Sequence, residues 1–539
     1  MKGKELPVLV IGAGPVGMSA ALLLARHGVP SVLIEARQSL GQHPKARGVR
    51  LRTMELFRQW GLADELQAQA LPAEALRFIY CDSLAGRELG RTPTLDESGG
   101  MFSPSRICRV AQDAVEHALS DRLQKEPLVD VRRGTRLIDL LQTEETVEAH
   151  VLTADGDPSQ HEVISGSYLI AADGVGSTVR RLLEIPVDGA PLLGYWQSIY
   201  WYGDISRWTA DRPCIQFFTG MRGGKSATVA SVDGRERWIT MVPHPPSEEP
   251  PEPLQTAQAQ EIVRGAVGDE AFLPDIVDIA TWRLSATVAR AWRDRRVFLA
   301  GDAAHSFPPT GGFGMNTGIQ DVHNLVWKLA LVRSGRAQDG LLETYGVERR
   351  PVAQGNADWS VANGDRIRRI SQALATGDHQ QFAALLIDQD EHVNALEQDL
   401  GFEYASTAII PETTPTPPRT ATFDPAARSG RRAPHAWIRA KGREISTLDL
   451  LEGEFVLFTG AQSSQAWATA AATLPDTMPE VAVYRVGTDI QVGEDFTAVY
   501  GLGDTDVVLI RPDGHVAWRP APGSAESTEL EVGLRRITS

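Results

Sequence analysis

The 539-residue chain reads as an α/β protein. A parallel-sheet body is interrupted by a mostly antiparallel sheet and followed by a separate small α/β domain. Three observations predict this. The chain opens on an apolar strand, a glycine-rich turn, a helix and a second strand that ends in an acid. Between about residues 182 and 284 the helix-period pattern thins out and short aromatic and β-branched runs replace it. Beyond a Pro/Thr-rich stretch near residue 410, strand and turn signals begin again.

The opening unit is Val8-Leu9-Val10-Ile11 running into Gly12-Ala13-Gly14-Pro15-Val16-Gly17. A helix over Met18–His27 follows, Gly28 stops it, and Val32-Leu33-Ile34-Glu35 closes the unit. In such a turn Gly12 permits the tight bend, Gly14 lets a pyrophosphate approach the backbone, and Gly17 lets helix and strand pack closely. The helix N-terminus faces the phosphates. Glu35, with the adjoining Ala36 and Arg37, is placed to meet an adenosine ribose and to repel a 2′-phosphate. Helices over Leu51–Trp60 and Ala111–Leu123 and strands over Val147–Leu152 and Tyr168–Ala172 complete the first part, residues 1–181.

The second part, residues 182–284, carries strand signals at Ser198–Tyr202, Ile215–Phe218, Ala227–Ser231 and Trp238–Val242, with Pro243–Pro253 as a surface loop. Tyr200 and Tyr202 share one strand face, Trp201 and Gly203 the other. Tyr200, Tyr202, Phe217, Trp238 and Met241 are the expected wall of a substrate pocket. The body resumes over residues 285–400, with strand Val297–Ala300, the long helix Thr317–Ser334 and a helical region. Residues 401–430, including Ile410–Ala427, read as a linker. Residues 431–539 form the last domain, with strands at Phe455–Thr459, Val481–Val486, Val507–Arg511 and His515–Arg519.

A formal net charge of −16 disfavours nucleic acid and an anionic membrane surface as partners. The three cysteines, Cys81, Cys108 and Cys214, show no metal-ligand or disulfide spacing, so neither a metal nor a disulfide framework is expected. With no secretory leader and no apolar run of membrane length, the expectation is a cytoplasmic protein, monomer or homodimer.

Two further segments refine the ligand. In Val297–Asn324 a strand delivers Gly301-Asp302, and Gly311-Gly312-Phe313-Gly314-Met315-Asn316 then opens the long helix, whose amide donors suit an electron-rich ligand edge. In Leu169–Arg180 another strand runs into Asp173-Gly174 and a helix start bearing Arg180. A flavin fits both ends: adenosine on Gly12–Glu35, ribityl hydroxyls on Asp302, and the pyrimidine edge on the amides of Met315 and Asn316.

These three segments, in this order, resemble the flavin-dependent aromatic hydroxylases, single-component FAD monooxygenases that include para-hydroxybenzoate hydroxylase and phenol hydroxylase. The chain is most similar to the actinobacterial branch that tailors polyketides. The resemblance implies a Rossmann-type FAD-binding domain, an inserted substrate-domain sheet and a thioredoxin-like C-terminal domain without redox cysteines. It implies that Glu35 binds the adenosine ribose, Arg47 the pyrophosphate, Gln112 the ribityl or phosphate portion and Asp302 the ribityl chain. Pro309 would present its carbonyl beside the reacting flavin edge. Gly312, Gly314, Met315 and Asn316 would contact the isoalloxazine, and Asp173 and Arg180 would serve FAD and NAD(P)H. NAD(P)H would reduce the flavin and leave, and O2 would add at C4a to give a hydroperoxide that attacks an aromatic ring. A Baeyer–Villiger oxygenation of a related polyketide would use the same site, and a non-catalytic flavin-holding protein is the distant alternative. Phenol hydroxylase-like members carry an aspartate where this chain has Arg47, so that base is missing. No catalytic base stands out: His244 and Asp204 are available, but a lone histidine before Pro245 reads as a loop residue.

Overall fold

The computed structural model describes residues 6–94, 99–153, 161–220, 226–387, 395–412, 423–520 and 526–539. Val8–Ile11, Ser31–Glu35, Tyr168–Ala171 and Val297–Leu299 are buried along their whole length, as parallel strands covered on both faces must be. They are neighbours in a six-stranded sheet that runs from Arg293–Asp294 at one edge to Val129–Arg133 at the other. Val8 registers with both Ser31 and Tyr168, so the first strand is central. Helix Pro15–Arg26 crosses helix Gly314–Arg333 at close range. A Cβ on Gly318 would stand 2.6 Å from Val16 Cγ2 and 2.8 Å from Gly301 Cα, so only glycine lets the two cofactor segments meet there.

The eight-stranded sheet is mostly antiparallel. Its order is His305–Ser306, Asp275–Ala289, Val187–Tyr202, Arg237–His244, Ser226–Ser231, Gln216–Gly220, Phe78–Cys81 and Glu88–Arg91. It overruns the expected limits of 182 and 284 on both sides. Phe78–Cys81 pairs parallel with Gln216–Gly220, and strand Asp275–Ala289 continues to the body. The pairing of residue 78 with 216 is non-local, which is why the local pattern did not reveal it. Helix Thr256–Val267 covers one face of this sheet.

In the last domain a four-stranded sheet and its helices follow one another as Phe455–Thr459, helix Ser464–Ala472, Val481–Arg485, helix Glu494–Tyr500, Val507–Ile510, Val516–Trp518 and helix Glu529–Ile537, beside a three-stranded sheet of Arg443–Ser446, Trp437–Ala440 and Ile490–Val492. The first two strands pair parallel and the last two join antiparallel, a thioredoxin-like arrangement; the last cysteine of the chain is Cys214. Of the expected linker, residues 413–422 lie outside the described residues. Its flanks are not free: Tyr404 N donates to Gly430 O at 2.9 Å and Ile410 N to Ala517 O at 2.8 Å. These segments are part of the C-terminal unit's wall, which corrects the reading of 401–430 as a plain linker.

Candidate flavin and substrate site

The opening turn is built as its glycines require. Gly12 has φ of 99°, and a Cβ there would stand 2.3 Å from Ala172 O; one on Gly17 would stand 1.8 Å from Gly12 O. At Gly14 a Cβ would meet nothing within 4 Å, so the space over this residue is open at the start of helix Pro15–Arg26. Glu35 is buried, and its two carboxylate oxygens accept from Ala13 N at 2.7 Å and Arg37 N at 2.9 Å. Burial pushes its carboxyl up, yet the Arg37 and Ala13 amides outweigh it and hold the group below the ordinary glutamate range. A charged acceptor is thus fixed beside the turn, with Ala36 and Arg37 at its rim.

Asp302 follows the strand Val297–Leu299. It is solvent-accessible, although protein atoms crowd around its carboxyl. Among the described residues none hydrogen-bonds to its carboxylate. Burial raises its pKa, with His305 and Lys45 opposing. Beside it, Arg180 Nη1 donates to Ala303 O at 2.6 Å. Asp173 Oδ2 accepts from Val179 N at 3.1 Å, while its Oδ1 is buried without a partner. Beneath this loop lies a network that the sequence reading missed. Asp321 accepts from Gly301 N at 3.2 Å, His305 Nε2 at 2.7 Å and Arg349 Nε at 2.9 Å. An aspartate seven residues into a long helix, at a position the helical pattern leaves buried, was the available signal.

Helix Gly314–Arg333 makes its first helical bond from Thr317 N to Phe313 O. The amides of Gly314, Met315 and Asn316 therefore precede the helical ladder and remain as donors. The carbonyl of Pro309 accepts from Gly312 N at 3.1 Å, so it closes the turn that leads into the helix. The Asn316 side chain is buried and acts as a staple: Oδ1 accepts from Arg50 N at 2.9 Å, and Nδ2 donates to Gly48 O at 3.1 Å and Gly312 O at 2.6 Å. Gln112 holds the same strap from the other side, accepting from Ala46 N at 3.3 Å. Arg47 turns to the sheet, donating to Gln216 Oε1 at 2.8 Å and Ile215 O at 3.3 Å. Burial, reinforced by neighbouring Arg109, lowers its pKa to about 10.

Strand parity divides the expected pocket wall. Ser198, Tyr200 and Tyr202 register with Met241, Ile239 and Arg237, and this face meets Ala111 of the body. Arg237 Nε donates to Tyr200 Oη at 2.8 Å, and its guanidinium also pairs with Asp113. Trp238 registers with Trp201 on the opposite face. There Trp238 and Phe217 are buried in the core under helix Thr256–Val267, so these two residues support the sheet and do not line the face with Tyr200. His244 shares the parity of Trp238, and Asp204 is exposed, accepting from Ser206 N at 2.9 Å at a short helix start. Neither lies on the strand face that carries Tyr200. In their place the structure brings in His43, which bonds to Ser198 and Asp278.

A model of the FAD binding domain matches residues 5–360, and one of the aromatic-ring hydroxylase C-terminal domain matches residues 426–539. The chain is 35% identical to a putative polyketide hydroxylase of Streptomyces halstedii, over 97% of this chain and 95% of that protein. It is 32% identical to aklavinone 12-hydroxylase of Streptomyces purpurascens, over 100% and 99%. The chain belongs to the FAD-dependent aromatic-ring hydroxylases. Among solved structures of such hydroxylases, the flavin-dependent monooxygenase PieE, in complex with FAD and substrate, superposes with a TM-score of 0.90 at 28% identity, covering 100% of this chain and 99% of that one. Aklavinone-11 hydroxylase, in a ternary complex with FAD and aklavinone, gives 0.85 at 31% identity with 100% of both chains covered.

The hydroxylase has FAD as its cofactor, and its own residues fit that group. The open space over Gly14, the unpartnered Asp302 carboxylate, the orphaned Asp173 Oδ1 and the free first-turn amides at Gly314–Asn316 are the donors and acceptors a dinucleotide flavin requires. The chain is a flavin-dependent monooxygenase acting on aromatic substrates. Among the described residues no helix is long and apolar enough to cross a membrane.

Proposed function

We propose that this hydroxylase uses NAD(P)H and O2 to hydroxylate a phenolic polycyclic natural product in the cytoplasm. When bound, FAD supplies the redox chemistry that activates O2 for transfer to a ring. Gly12, Gly14, Pro15, Val16 and Gly17 would seat its pyrophosphate, Glu35 with Ala36 and Arg37 the adenosine ribose, and Asp302 with Gly301 the ribityl chain. Gly312, Gly314, Met315 and Asn316 would hold the ring's pyrimidine edge. Arg47, Gln112, Asp173, Arg180 and Pro309 would order the loops around it. Tyr200, Tyr202 and Met241 would contact the substrate.

The observation that carries the reading is the composition of the one sheet face that meets the body. Tyr200, Tyr202, Ile239 and Met241 combine apolar area with hydroxyls, which suits a flat aromatic ligand bearing oxygens. Burial, with the neighbouring Tyr202 hydroxyl, raises the Tyr200 pKa to about 12, so its hydroxyl stays protonated and donates to Tyr202 Oη at 3.2 Å. The strap from Ala46 to Arg50 is tied at one end to Gln112 and at the other to Asn316, which links the sheet-facing Arg47 to the start of helix Gly314–Arg333. Relatives named for aklavinone and tetracenomycin support a polycyclic substrate. The test is NADH and NADPH oxidation with and without aklavinone, with mass and NMR analysis of the product. A gain of one oxygen on a ring carbon is expected. Ring-oxygen insertion, or oxidation of neither nucleotide with any phenol, would overturn the reading.

A further inference from the structure

His43 lies on the loop between Glu35 and Arg47 and reaches across to the substrate sheet. Its Nε2 is 2.8 Å from Ser198 Oγ and its Nδ1 is 2.9 Å from Asp278 Oδ2. Ser198 is 2% exposed, whereas the Asp278 side chain is 46% exposed. The three residues thus form a hydrogen-bonded path from inside the sheet face to solvent. Tyr200, two residues from Ser198 on the same face, places its ring edge-on to the imidazole at 6.0 Å.

The path has a direction. An ionised carboxylate only accepts, so the neutral imidazole must carry its hydrogen on Nδ1 toward Asp278. Nε2 is then an acceptor, and the Ser198 hydroxyl hydrogen must point at it. The remaining lone pairs of Ser198 Oγ are left to accept from another donor. Burial lowers the His43 pKa, with Asp278 opposing, which keeps the ring in this neutral form. The other groups that meet the imidazole are Lys45 on its own loop and Tyr200 on the sheet.

We propose that Ser198, His43 and Asp278 are a proton relay that removes the hydroxyl proton of a phenolic substrate. This rests on the phenolic reading above. The substrate O–H bond breaks and its electron pair stays on the phenolate oxygen, which makes the ring more nucleophilic. That proton goes to Ser198 Oγ as the serine proton passes to His43 Nε2. The His43 Nδ1 proton passes to Asp278, which exchanges it with water. Ser198 is the member that meets the substrate, and His43 acts through it. No oxidant or reductant is needed for this step.

The test uses the FAD-loaded full chain with aklavinone and 2,4-dichlorophenol as probes. His43→Gln retains amide hydrogen bonding but cannot carry a proton. Its kcat for hydroxylation is expected to fall about a hundredfold at a pH below the probe's own pKa. It should recover above that pKa, where the probe is already ionised, with KM and FAD content unchanged. Ser198→Ala should show the same pH-dependent loss of kcat with FAD content unchanged, and a raised KM because its Oγ meets the substrate. An unaltered pH profile in both variants overturns the relay, as does a loss that persists at high pH or tracks lost FAD. If the wild-type protein hydroxylates neither probe, the phenolic reading fails first and takes the relay with it.

Discussion

Against the C-terminal domain, the FAD-binding body buries ions. Glu348 accepts from Arg511 Nη1 at 2.6 Å and Nη2 at 2.9 Å and from Lys328 Nζ at 2.8 Å, all with fully buried side chains. Asp513 joins through Arg511 and Asn324. Against the substrate sheet, the body uses partly exposed contacts from a loop and a helix: His43 with Asp278, Arg47 with Gln216, and Asp113 with Arg237. A buried ion pair has few acceptable alternatives, because separating its members strands a charge in a low-dielectric interior. Partly exposed polar contacts can exchange with water at smaller cost. The first interface is a weld, and the second is able to adjust around a ligand.

The largest effect should come from breaking the weld. Arg511→Met leaves Glu348 with Lys328 as its cation and Asp513 without its guanidinium, and we expect a loss of about 3–5 kcal/mol in denaturant unfolding. A loss under about 1 kcal/mol would equate the two interfaces and end the contrast. At the cofactor recess, Asp302→Ala removes a charged acceptor worth about 1.5–3 kcal/mol to the ribityl hydroxyls. The FAD-bound fraction after dialysis should drop while the apoprotein melts as before; wild-type retention would misplace the ribityl chain.

A smaller effect should be pH-dependent. Burial lowers the His515 pKa to about 4, against an opposing pull from Asp513, from an unfolded value of 6.5. The unfolded chain therefore binds more protons between those values, so stability is complete above pH 6.5 and is lost as pH falls toward 4. At pH 5 this one ring accounts for about 2 kcal/mol. His515→Phe should flatten the fall in melting temperature between pH 7 and 5, and an unchanged slope would detach His515 from the weld. The smallest effect concerns thiols. Cys81, Cys108 and Cys214 are buried, and burial pushes the Cys81 thiol up to about 12. Iodoacetamide on the native holoenzyme should leave hydroxylation unaltered, and inactivation protected by substrate would put a cysteine in the pocket.

What could be read in the sequence is what is built locally. Gly12, Gly17 and Glu35 act within one strand–turn–helix–strand unit, and their contacts lie within that unit or on the strand beside it. The thioredoxin-like strand positions were legible for the same reason, since each is a short apolar run bounded by turn residues. The pocket wall was half legible. Parity along one strand separates Tyr200 from Trp201, but placing Trp238 needs the register between two strands, and that register puts it opposite Trp201. The run Phe78–Cys81 is as apolar as its neighbours, yet nothing near it indicates a partner at residue 216. His43 was overlooked because its partners stand 155 and 235 residues away.

Helix Gly314–Arg333 begins with the amides proposed above for the flavin ring, and Asn324, about 12 Å further along its axis, touches Asp513 of the C-terminal domain. This geometry constrains how the enzyme can be recombined. A chimera that joins this body to another relative's last domain inherits Glu348, Lys328 and Asn324 without a guarantee of Arg511 and Asp513. Such a hybrid would carry its mismatch part-way along the helix whose first amides are proposed for the flavin. Placing Arg511 and Asp513 together in the incoming domain is therefore the minimum graft for shuffling these domains.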